Sequence, residues 1–154
     1  MSENYQPEKI VPDRQILSLS GSDRYLLAAL CYAADPRAND LRIADLYLRT
    51  SWCARSENLP EREHEAQCES ILLFEKALSA GEVAENQLRT ILYLLGELYR
   101  RVGRYELAIA LFDQALEAPE AGEEPERFEF LVLRQRQAAS EHDCANMEII
   151  PEPQ

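Results

Sequence analysis

GELYRRVGRYELAIALFDQAL, running from Gly96 to Leu116, is the stretch that decides the fold. Leading into it, Leu88, Ile91, Leu92, Leu95, Tyr99 and Val102 recur at steps of three and four. That spacing gathers apolar side chains on one face of an α-helix. Gly103 ends this helix, and Leu107, Ala108, Leu111, Phe112 and Ala115 form the apolar set of a second one that breaks before Pro119. Small residues at Gly96 and Ala108 let two antiparallel helices approach closely, while Leu92, Tyr99 and Phe112 fill the space around that contact.

Numbered as a unit of about 34 residues with Gly96 in eighth place, the pattern resembles the tetratricopeptide repeat, with Gly103 at its turn and Tyr105 just beyond. Pro119 comes one residue earlier than that repeat's usual terminal proline. FEKAL (Phe74 to Leu78) echoes FDQAL (Phe112 to Leu116), and LYLRTSWCARSEN upstream supplies a partner helix with Leu48 and Trp52 as its large apolar positions. One such unit cannot bury its own faces, and about three are needed for an independent stack. The expected fold is all-α: a short right-handed stack of antiparallel helical hairpins, tetratricopeptide-like, with about six helices.

The remaining punctuation fits that count. Residues 1–21, with Pro7, Pro12 and LSLSGS, read as an irregular lead-in, and residues 22–140 as the helical-repeat domain. Ser22 or Asp23 caps a first helix carrying Tyr25, Leu26, Ala29, Leu30 and Ala33; Asn39 or Asp40 caps a second that ends by Asn58. Pro60 opens a third that stops at Gly81, the fourth spans about Asn86 to Val102, and the fifth starts at Arg104. Pro125 opens a sixth, in which Phe128-Glu129-Phe130 alternates as a strand would, but no second strand is there to pair with it. Residues 141–154 read as a disordered acidic tail, with MEIIPEP (Met147 to Pro153) as an apolar island that either folds back or docks on another chain. Trp52, Tyr47, Tyr99 and Phe112 are expected in the core.

The chain has 154 residues and a formal charge of −12. From Glu117 to Gln154 ten acidic side chains face three basic ones, a net of −7. An acidic surface repels a phosphate backbone, which argues against nucleic acid as a partner. No apolar run approaches the roughly 18 residues of a membrane span, and MSENYQPEKI has no signal-peptide pattern. A cytoplasmic location is expected. The four cysteines, Cys31, Cys53, Cys68 and Cys144, form no C-x-x-C pair, and Cys31 and Cys53 fall among apolar residues where a free thiol acts as a small buried hydrophobe.

LYLRTSWCARSEN followed by LLGELYRRVGRYELAIALF also resembles the C-terminal helical part of an uncharacterised bacterial family, over roughly Ser22 to Leu116. That resemblance implies zinc-ribbon cysteine pairs in front of the helices. This chain lacks them, so the resemblance supports the fold and lends no activity.

No phosphate loop, nucleophile elbow or H-E-x-x-H motif is present, and catalysis is not expected. No cofactor and no complete metal site is expected either. The leading expectation is a protein–protein interaction module, acting as adaptor, subunit or assembly factor of a larger bacterial complex. In a tetratricopeptide stack the first helix of each hairpin lines a concave groove, which would place Thr90, Tyr93, Glu97, Arg100 and Arg101 on the partner-binding face. Tyr93 offers a rigid aromatic surface there, and Arg100 and Arg101 offer forked donors for carboxylates. Tyr93 and Glu97 stand where chaperone-tail receptors of this class carry Lys and Asn, so that ligand is not expected. The alternative is a small metal- or redox-responsive regulator using His64 and Cys68, four apart on one helix, with a third ligand brought near by folding. Self-association is a third reading.

Overall fold

The computed structural model describes residues 19–119 and 124–145. Those residues form six α-helices and no strand: α1 (Gly21–Ala33), α2 (Asp40–Ser56), α3 (Pro60–Ser79), α4 (Glu85–Arg101), α5 (Tyr105–Glu117) and α6 (Pro125–Ser140). The Phe128-Glu129-Phe130 alternation is thus helical. The lead-in before residue 19 and the MEIIPEP island lie outside the described residues.

Local sequence sets the ends. Ser20, rather than Ser22 or Asp23, caps α1 by accepting from the Asp23 N–H at 3.2 Å. Asn39 caps α2 through the Arg42 N–H at 2.8 Å. Pro60 and Pro125 occupy first helical turns, where their missing N–H has no intrahelical partner to lose. Four helices end alike, on a residue with positive φ: Asn58, Gly81, Gly103 and His142. After α4, Arg104 N–H reaches the Tyr99 carbonyl at 2.8 Å and Gly103 N–H that of Arg100 at 3.1 Å. This paired reversal satisfies orphan carbonyls and turns the chain back on itself.

Contacts across the seams give the helix directions. Asp40 meets Lys76, Ala44 meets Ser70, and Arg55 meets Glu63, so α2 and α3 run antiparallel. Arg89 meets Ala115 across α4 and α5, and Gly96 lies against Phe112. Asp113 pairs with Arg136, and Tyr105 stacks on His142, so α5 and the end of α6 are also antiparallel. α4 and α6 run parallel, since Tyr93 meets Phe128 and Arg100 meets Gln135. One core joins these helices: Ala44, Leu48, Ile71, Phe74, Leu92, Leu95, Tyr99, Ala108, Phe112 and Val132 all belong to it.

Gly96 shows why the sequence needs a residue without a side chain there. A Cβ at that position would lie 2.7 Å from Phe112 Cε1 and 2.9 Å from Cδ1. Four expected core members fall elsewhere. Trp52 is 39% exposed, because α2 turns Ala44, Leu48 and Ser51 inward on one side and Ile43, Leu46 and Thr50 on the other. Leu107 is 46% exposed, because the short α5 buries only Ala108, Phe112 and Ala115, and one helical step carries Leu107 away from that line. Cys31 is exposed on α1, the outermost described helix, and Cys53 is half-buried beside Gly21.

Candidate partner-binding site on the fourth helix

α4 presents two surfaces of different character. Toward α2 it borders a cleft of about 520 Å³. Leu41, Phe74, Ile91 and Leu94 give the cleft an apolar lining, and Asn39, Asn86, Gln87 and Thr90 add amide and hydroxyl groups that both donate and accept. Arg42, Asp45 and Glu82 bring charges of both signs.

Toward α6, α4 holds buried polar side chains. The Tyr93 ring lies 5.6 Å from Phe128 and 6.2 Å from Phe112, centroid to centroid. Burial pushes the Tyr93 hydroxyl pKa up, with the Glu97 charge adding to the shift. Arg89 is buried, its Nε donating to the Ala115 carbonyl at 3.2 Å and its guanidinium 4.4 Å from the Phe128 centroid. Arg100 is fully buried. Its Nε donates to Gln135 Oε1 at 2.7 Å, and its Nη1 donates to the carbonyls of Asp143 at 2.7 Å and Ala145 at 2.9 Å. Burial foremost, then the neighbouring Arg101 charge, lowers its pKa from the ordinary arginine value. The side chain remains a charged donor set, since arginine does not deprotonate in proteins.

The five residues expected along a groove differ in exposure. Of Thr90, Tyr93, Glu97, Arg100 and Arg101, Thr90 alone is exposed and lines the α2–α4 cleft. Tyr93 is packed between two phenylalanines, and Arg100 points into the α4–α6 contact, where α6 and the chain after it cover its donors. Glu97 pairs with Arg101 at 3.0 Å. Gln135, a glutamine amid polar neighbours, carries no periodic signal in the sequence. Arg89, early in an amphipathic helix, reads as solvated in the sequence, and only the fold sets Phe128 over it.

His64 and Cys68 do share a face, with Sγ 3.7 Å from Nε2, beside a cleft of about 350 Å³ that Glu75, Tyr99 and Arg104 also line. The Tyr99 hydroxyl donates to Glu75. Burial, then that bond, pushes its pKa up to about 12. Among the described residues no group of three His, Cys, Asp or Glu side chains is placed to hold a metal ion, so no third ligand joins the pair there. No described helix is long and apolar enough to cross a membrane.

Residues 2–138 match a family described as an uncharacterized protein conserved in bacteria (DUF2225). The chain belongs to this family. The match reaches beyond Ser22 to Leu116 at both ends, taking in the lead-in and most of α6. No curated protein and no solved structure matches the chain.

Proposed function

We propose that this DUF2225 chain is a non-catalytic protein–protein interaction module, an adaptor, subunit or assembly factor of a larger bacterial complex in the cytoplasm. It is read as a tetratricopeptide-like stack, supported by the antiparallel hairpins, the parallel course of α4 and α6, and the Gly96–Phe112 contact. The observation that carries the binding reading is the α2–α4 cleft. Its apolar lining can bury side chains of an extended peptide, while Asn39, Asn86, Gln87 and Thr90 can satisfy that peptide's N–H and C=O groups. Thr90 is the member of the expected set that lines this cleft, while Tyr93 and Arg100 pack in the α4–α6 contact.

The test is paired affinity capture from the native extract, with wild type against Gln87→Glu/Thr90→Arg. Both substituted positions are exposed, so the fold should survive, as circular dichroism would verify. A partner captured by wild type and lost by the variant supports the cleft. A partner held equally by both removes it from the function.

The contact between Cys68 and His64 favours a second reading, a thiol-based redox regulator. It requires Cys68 to oxidise ahead of the exposed Cys31 and Cys144. Peptide mass spectrometry after mild peroxide treatment reads that order directly.

A further inference from the structure

Arg42 stands where a helix disfavours a cation. It lies in the first turn of α2, just after the Asn39 cap, at the helix end that carries partial positive charge. The acidic side chains best placed to offset it are engaged elsewhere. Asp45 pairs with Arg49 at 2.9 Å, and Asp40 pairs with Lys76 at 3.3 Å. Among the described residues no carboxylate pairs with Arg42. Its guanidinium lies 5.6 Å from the Tyr32 ring centroid, a contact that restricts where its forked donors point. Glu82, in the connection between α3 and α4, is exposed and likewise has no basic partner among the described residues. Both unmatched charges line the α2–α4 cleft.

We propose that the α2–α4 cleft selects its partner by charge: the bound segment is an extended peptide whose apolar side chains are flanked by an acidic side chain for Arg42 and a basic one for Glu82. This rests on the reading of the cleft as a peptide site and adds the chemistry of the peptide. Leu41, Phe74, Ile91 and Leu94 take the apolar side chains. Arg42, already oriented and without a counterion, gains a charge-assisted pair with an Asp or Glu of the segment. A purely acidic segment would meet Glu82 and the −12 charge of the whole molecule, and a purely basic one would meet Arg42. Unlike charges at the two places also fix the direction in which the segment lies.

The experiment is an NMR titration of the isotopically labelled full chain with four synthetic peptides, acetylated and amidated so that neither terminus is charged. Each has a Leu-Ser-Leu core flanked by Glu then Lys, by Lys then Glu, by two Glu or by two Lys. One mixed order should shift the Arg42 and Thr90 amides and bind about fivefold tighter than the two-Glu and two-Lys peptides. The charge swap Arg42→Glu/Glu82→Lys, at two exposed positions, should transfer the preference to the other mixed order. Equal binding of all four peptides at the cleft overturns charge selection and leaves the cleft as a peptide site. A preference that survives the swap overturns the roles of Arg42 and Glu82. No shift with any of the four also overturns the proposal, and capture with Gln87→Glu/Thr90→Arg then decides the cleft reading by itself.

Discussion

The α4–α5 and α2–α3 seams achieve close helix approach by opposite means. Between α4 and α5 one helix gives up a side chain altogether, and the Phe112 ring fills the space above Gly96. Between α2 and α3 the close positions are Ala44, Ser51, Ser70 and Ala77, with small side chains and buried hydroxyls. Ser70 Oγ donates to the Ala44 carbonyl at 2.9 Å, and Ser51 Oγ to the Leu48 carbonyl at 2.6 Å. The first seam depends on the shape of one aromatic. The second spreads the same task over several small groups, so single substitutions there should be milder.

The largest effect should come from Phe112→Ala, which empties a fully buried site. A loss of about 3–5 kcal/mol is expected, read as a shifted denaturation midpoint with an unchanged slope. Gly96→Ala comes next. Alanine gains close to 1 kcal/mol over glycine in a helix interior, yet its Cβ meets the ring at 2.7 Å, and overpacking of about 1–3 kcal/mol should prevail. Adding Phe112→Leu to Gly96→Ala should return part of that loss. A double-mutant cycle with no coupling would mean the two residues do not share one contact, and the contrast between the seams would fall.

The first seam was legible in the sequence and the second was not, for a physical reason. Gly96, Ala108 and Phe112 stand out because glycine is costly in a helix unless something occupies its place. Thr50 and Ser70 look solvent-facing, and only the fold shows their hydroxyls returned to helix carbonyls and buried. Helix boundaries followed from Asn58, Pro60, Gly81, Gly103 and Pro125, but the αL stop at His142 carries no such marker. The candidate site was the least legible part. Periodicity identifies which α4 residues share a stripe, but not whether α6 covers it, and that difference moved Arg100 from groove to interior.

Ser70→Ala tests the milder seam. It removes one neutral hydrogen bond and leaves the Ala44 carbonyl within its helix, so about 1 kcal/mol is expected. A loss equal to that of Gly96→Ala would show that the α2–α3 hairpin is as intolerant as its neighbour.

The junction of α1 with α2 should respond to acid. Glu57 accepts from the Ser22 hydroxyl and from its backbone N–H, which hold its carboxyl pKa below the usual range. Asp23 is held low by the Ser20 hydroxyl and then by Arg62. Both contributions are present above the ordinary carboxylate pKa and are lost as pH falls through the lowered values. Amide protection on α1, relative to the intrinsic exchange rate, should therefore fall below about pH 4, before the rest of the molecule opens. Glu57→Gln should weaken that step, because the neutral amide has no charge for acid to remove. If α1 stays as protected as α4 at low pH, these bonds do not hold it.

Trp52→Ser should have the smallest effect, although tryptophan is the residue most readily assigned to a core. It follows Leu48 by one helical turn, at the edge of a buried stripe, and the residue is 39% exposed. A surface substitution of that kind typically changes stability by within about 0.5 kcal/mol. Trp52 is the chain's one tryptophan, so native fluorescence offers a check that needs no substitution. Its emission should be red-shifted and readily quenched by iodide while the helices remain intact. Blue-shifted, protected emission would place the ring against another surface, and that edge of α2 would then belong to an interface and not to solvent.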